Sequence, residues 1–165
     1  MKLINYLALI LMFVFITFTG SFAAPIKIGT TVLEGKTTKG DEIRVEVTTV
    51  NNPKESPYST ENAWGTHKGS VKPRIIISSM KIIMNDEQQY IPMSTYMDLT
   101  EPKEIKLNIQ DEQTIRIIIQ GGIHEEDTGY IAEILYLGDI LVSKSVRHTR
   151  FPNNIREDTM YKSMY

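Results

Sequence analysis

The sequence predicts an all-β domain, a single antiparallel β-sandwich of about seven or eight strands, and three observations carry that expectation. Apolar and polar residues alternate with a period of two through most of the chain after the N-terminal segment, short polar turns separate the runs, and few segments repeat apolar residues at helical spacing. A small β-barrel is the alternative, because alternation does not say whether a sheet closes.

The elements follow in order. In "IKIGTTVL" the alternation is loose, with Ile26, Ile28 and Val32 as the inward set and Gly29 weakening the run. In "DEIRVEVTTV", Ile43, Val45 and Val47 alternate with Glu42, Arg44, Glu46 and Thr48, so one face meets a core and the other meets water. "RIIISSMKIIM", from Arg74 to Met84, is rich in β-branched isoleucine, which favours extended chain over helix. The turn "NDEQ" leads into "QYIPMSTYMDL", where Pro92 lacks a ladder donor and marks an edge strand or an interruption.

The next two strands permit a register test. A three-residue connection, Asp111-Glu112-Gln113, sets Ile109 against Ile115 and Leu107 against Ile117, which keeps the apolar faces together. "GYIAEILYLGDILVSKSVRH" then reads as a hairpin with Gly138 first in a two-residue turn. Paired without a gap, it opposes Leu135 to Val142, Glu133 to Lys144 and Ile131 to Val146, and makes Glu133 and Lys144 a cross-strand charge pair. The tail after Pro152 forms a short C-terminal helix or lies across an open end of the sandwich.

Residues 1–23 carry one lysine, a long apolar run from Leu7 to Phe18, and then the small residues Gly20, Ser21 and Ala23. That is the pattern of a secretory signal peptide cut after Ala23 or Ala24, leaving residues 24–165 as one domain in the periplasm or secreted. The apolar run is short for a membrane span of about 20 residues, so no transmembrane anchor is expected after processing. With no cysteine in the chain, neither a disulfide nor a catalytic thiol can form, and the domain must hold by its core. Without Lys2, 17 basic residues face 20 acidic ones, which gives no reason to expect nucleic acid as a partner. The charge is nevertheless segregated: residues 86–139 hold twelve acids and three bases, whereas 144–156 hold four bases and no acid.

Three places offer chemistry. "QGGIHEEDTGY", residues 120–130, joins two glycines to His124 and to Glu125, Glu126 and Asp127, the hard oxygen ligands that calcium uses. Calcium wants about six to eight oxygens arranged in space, which three adjacent residues do not supply, so a solvated hairpin loop is the first reading and no cofactor is expected. The long connection "NNPKESPYSTENAWGTHKGSVKP" carries Tyr58, Trp64 and His67, and segments of that length are often functional. Its aromatics can anchor a protein or stack on a sugar, or Trp64 can fold back over the sandwich edge. Lys144, Arg147 and Arg150 can solvate one strand or meet an acidic partner.

No G-x-S-x-G elbow and no H-E-x-x-H motif occur, so no catalytic residue is assigned. The leading expectation is an exported, non-enzymatic protein-binding domain, an inhibitor, immunity factor or accessory subunit of the envelope, using Tyr58, Trp64, His67, Lys144, Arg147 and Arg150. A small-ligand module for carbohydrate or calcium is the alternative, and a hydrolase built on His67, His124 or His148 the third.

Overall fold

The structure is a computed structural model that describes residues 20–53, 63–66, 72–124, 127–151, 153 and 155–162, with 155 and 156 described by backbone alone. Among the described residues, ten strands form two antiparallel sheets. They are β1 (Ser21–Pro25), β2 (Gly29–Lys36), β3 (Glu42–Asn51), β4 (Ile75–Met84), β5 (Glu87–Gln89), β6 (Pro102–Ile109), β7 (Thr114–Gly121), β8 (Tyr130–Leu137), β9 (Ile140–His148) and β10 (Ile155–Met160). One sheet runs β1-β6-β7-β8-β9-β10 and the other β2-β3-β4-β5, and their inner faces pack as a sandwich. Neither sheet closes into a barrel among the described residues. Among those residues, no helix is long and apolar enough to cross a membrane.

The core follows the alternation. Ile43, Val45 and Val47 of β3, Ile77, Met80 and Ile82 of β4, and the isoleucine rows of β6 and β7 are all nearly inaccessible to solvent. The β6–β7 register is the expected one, with Ile109 opposite Ile115, Leu107 opposite Ile117 and Ile105 opposite Ile119. Asp111 makes the glycine-free turn: Oδ1 accepts from the N–H groups of Gln113 and Thr114 at 2.8 and 2.6 Å, and Oδ2 accepts from the Thr114 hydroxyl at 2.8 Å. Past the Asn85-Asp86 turn, β5 lasts three residues before Pro92 heads a short 3-10 turn, Met93–Thr95, so the segment is interrupted where the proline stands.

Three expectations are corrected. Ile26 packs against the core as expected, but in β2 the inward residue is Leu33, opposite Val45, while Val32 is 38% and Ile28, just before the strand, 58% exposed. Pairing with β3 sets the face, and it is the opposite parity to the one the loose alternation suggests. In the β8–β9 hairpin a bulge falls between Leu135 and Tyr136, so Glu133 faces Ser145 and Ile134 faces Lys144. An unbroken register would turn Ser143, Ser145 and Arg147 inward after Leu141. The extra residue instead buries Val146 and His148, and carries Lys144 in with them. Glu133 pairs with Arg116 on β7. The third correction is the tail, whose described residues form no helix but a tenth strand along the β9 edge, with Tyr161 N–H donating to the Val142 carbonyl at 2.9 Å. So few residues make a marginal helix, whereas an open ladder offers backbone partners to every second one of them.

Candidate functional site

The sandwich has two ends. One gathers the short turns and a cleft of about 240 Å³ lined by Asp41, Asn85, Glu112 and Asp139, among others. At the other, backbone hydrogen bonds from Ile123 N–H to the Gly65 carbonyl and from Thr149 N–H to the Gly129 carbonyl bring together the described parts of the Trp64 segment, the 120–130 stretch and the exit of β9.

At the loop end, Trp64 leaves the long connection and is pinned by its backbone: its N–H donates to the Asp98 carbonyl at 2.7 Å and its carbonyl accepts from Thr100 N–H at 3.0 Å. Glu101 cross-ties the neighbouring elements. Its carboxylate Oε1 accepts from the backbone N–H groups of Arg74 and Ile75, its own N–H donates to the Ile75 carbonyl at 2.9 Å, and its carbonyl accepts from Gly122 N–H at 3.0 Å. Glu101 does this at φ +49°, a left-handed conformation that costs a residue with a β-carbon and persists where the surroundings over-determine it.

The 120–130 stretch is built onto that hub. Ile123 N–H donates to the Gly65 carbonyl at 3.0 Å, joining the Trp64 segment to this loop. The Thr128 hydroxyl donates to the His124 carbonyl at 3.0 Å and accepts from its N–H at 2.9 Å, closing the turn. Gly121 makes room for a ring: a β-carbon there would lie 2.6 Å from the Tyr130 hydroxyl. That hydroxyl is buried without a hydrogen-bond partner among the described residues. Burial pushes the phenol well above its ordinary pKa, with the Asp98 and Glu101 charges adding to the shift.

Under the loops lies a charged cluster. The Lys144 ammonium, 1% exposed, donates to both oxygens of Asp98 at 2.6 and 2.8 Å and to Glu157 Oε1 at 3.0 Å. The Trp64 indole N–H donates to the other Glu157 oxygen at 2.8 Å. Burial raises the Asp98 carboxyl above its ordinary value even though Lys144 pulls it down. Burial also pushes Glu157 up, but the Trp64 indole and Lys144 together outweigh it and hold that carboxyl below its ordinary value. The cluster fastens β10, β9, the 3-10 region and the Trp64 segment at one point.

The sequence-predicted residues therefore divide. Lys144 is committed inside the protein rather than offered at its surface. Trp64 is half-buried against the core, its polar edge occupied by Glu157. Arg147 is partly buried, and its Nε has no hydrogen-bond partner among the described residues. Arg150 is exposed, its guanidinium 5.6 Å from the centre of the Phe151 ring, and Phe151 is 49% exposed. That ring leans on His148 at 5.8 Å, and His148 Nδ1 accepts from Arg150 N–H at 3.1 Å. His124 and Asp127 are exposed on the neighbouring loop. Tyr58, His67, Glu125 and Glu126 lie outside the described residues.

The sequence reading did not single out Asp98, Glu101, Glu157 or Phe151. Only Phe151 had a visible signal, as an aromatic beside the cationic run at a strand exit. Among the described residues, no group of three or more histidines and carboxylates is arranged to hold a metal ion. Compared with protein families, with curated proteins and with solved structures, the chain matches none.

Proposed function

We propose that this chain is an exported, non-enzymatic domain that binds another protein in the periplasm or outside the cell, as an inhibitor, immunity factor or accessory subunit, and that the loop end of the sandwich meets the partner. The observation that carries the reading is the exposed Arg150 and Phe151 pair, with the Phe151 ring tilted against buried His148, beside the cross-tied Trp64 and 120–130 loops. Arginine and aromatic side chains are the types that dominate binding energy at protein interfaces, and loops on a rigid sheet scaffold present them at low ordering cost.

The test is affinity capture from concentrated envelope and secreted extracts with the processed chain, against Arg150→Ala and Phe151→Ala. Both positions are exposed, so folding is retained. A stoichiometric partner held by the parent chain and lost on either substitution is the expected result; capture unchanged by both, or no reproducible partner, overturns the reading. Trp64→Ala is a poor control, because it also removes core packing and a hydrogen bond to Glu157.

One observation favours a second reading, a carbohydrate or calcium module: the Gly65 to Ile123 hydrogen bond brings the Trp64 segment and the glycine-rich loop together. Trp64 is the only tryptophan, so its fluorescence reports on that place directly. Titration with glycans and with calcium that leaves its emission unmoved removes this reading.

A further inference from the structure

Strand β1 consists of the very residues at which the sequence places the processing site. Ser21 to Pro25 lie antiparallel on β6, Phe22 opposite Leu107 and Ala24 opposite Ile105. A cut after Ala23 or Ala24 takes Ser21, Phe22 and Ala23 out of the folded domain. Phe22 is 39% exposed and its ring lies over Gly35 of β2. A β-carbon at Gly35 would stand 3.0 Å from the ring and 2.7 Å from Ile109 Cδ1, so the glycine leaves a notch that the phenylalanine fills. Removing the strand opens this notch and the unpaired backbone of β6 together.

We propose that processing frees the edge of β6 from Lys106 to Asn108 and that this edge receives an extended strand from the partner protein, added antiparallel, with a large apolar side chain in the Phe22 notch opposite Leu107. The proposal rests on the reading of the chain as exported and processed. In such strand addition the backbone ladder supplies affinity and the side-chain notch supplies selectivity. β1 is itself the template for the occupant, since it fits this edge with phenylalanine opposite Leu107. A second copy of β6 fits poorly, because its inward row, Ile105, Leu107 and Ile109, is already buried in its own core and has no side chain free to fill the notch.

The experiment expresses the full chain in a cell that exports it and reads the N-terminus of the exported product by intact mass. That product is then titrated with a labelled peptide of sequence TFTGSFA, which ends where the mature chain begins, and with its Phe22→Ala counterpart, by fluorescence anisotropy, and its size is measured by sedimentation. The expected product begins at Ala24 or Pro25, is monomeric, and binds the first peptide saturably and the second at least about tenfold more weakly. No binding, or equal binding of the two peptides, overturns the proposal. A dimer that the peptide dissolves also overturns it, by giving the edge to a second copy. A product that retains Ser21 removes the processed-export reading along with this one, whereas a processed chain that ignores the peptide removes this one alone.

Discussion

Lys144 is a full charge in the innermost row of β9, 1% exposed, and what keeps it there is the pair of carboxylates around it. Removing one member of a buried ion pair costs about 3–5 kcal/mol; here Asp98 and Glu157 keep part of their hydration, so Lys144→Met is expected to cost about 2–4 kcal/mol in urea unfolding. The carboxylates have opposite signs in pH. Glu157 sits below its ordinary 4.5, so its contribution is complete above that pH and is lost as pH falls through the lowered value. Asp98 sits above its ordinary 3.8, so its contribution is present below that pH and is lost as pH rises through the raised value. Glu157→Gln should therefore flatten the acid limb of stability against pH and Asp98→Asn should steepen it, as read from urea midpoints across the acid range. Tyr130 supplies a third residue-scale test. Its buried hydroxyl lacks a partner among the described residues, so Tyr130→Phe is expected to be neutral or to stabilise by up to about 1 kcal/mol. A clear loss would mean that the hydroxyl is bonded after all.

At the scale of elements, legibility tracks how tightly parity constrains a segment. The β6–β7 hairpin could be read to the residue, because only a three-residue turn keeps both isoleucine rows on one face. The β9 phase could not, because Leu141 and Val146 are both buried yet an odd number of residues apart, and only a bulge reconciles them. β10 has no alternation to read; it is a strand because β9 offers an open ladder. The ion cluster was equally hidden, since Asp98, Lys144 and Glu157 are distant in sequence and nothing local announces their meeting. The 120–130 stretch was legible as a loop, whereas its ties to Gly65 and Glu101 required the fold. Those ties make a prediction for the element. Gly122 sits at φ +115°, and a β-carbon there would lie 2.5 Å from the Thr128 carbonyl oxygen. Gly122→Ala is therefore expected to cost more than about 1 kcal/mol and to speed exchange of the Ile123 amide, which hydrogen–deuterium exchange would follow.

The whole molecule has to stand without a disulfide, and it does so by giving the strands of each sheet unequal duties. The inner rows of β3, β4 and β6 to β8 hold the core, while β1, β5 and β10 are short strips along edges. An edge strip can be lost cheaply when little of its surface is buried. β1 brings one large side chain to the inner face, Phe22, and that ring is 39% exposed. Full burial of such a side chain is worth about 1.5–3 kcal/mol, so a chain beginning at Ala24 is expected to be less stable by only about 1–2 kcal/mol than one beginning at Gly20. Both should unfold in one cooperative transition with nearly the same denaturant dependence, because the core exposed on unfolding is nearly the same. Hydrogen exchange supplies the local check. Amides in the middle of β3, β4, β7 and β8 should stay slow in both chains, while Ile109, whose N–H donates to the Gly20 carbonyl at 3.3 Å, should quicken in the shorter one. A loss well above about 3 kcal/mol, or a transition that broadens and splits, would make β1 a structural member of the sandwich rather than a removable edge. The domain would then need those residues to fold, and its processing site would have to lie upstream of Ser21.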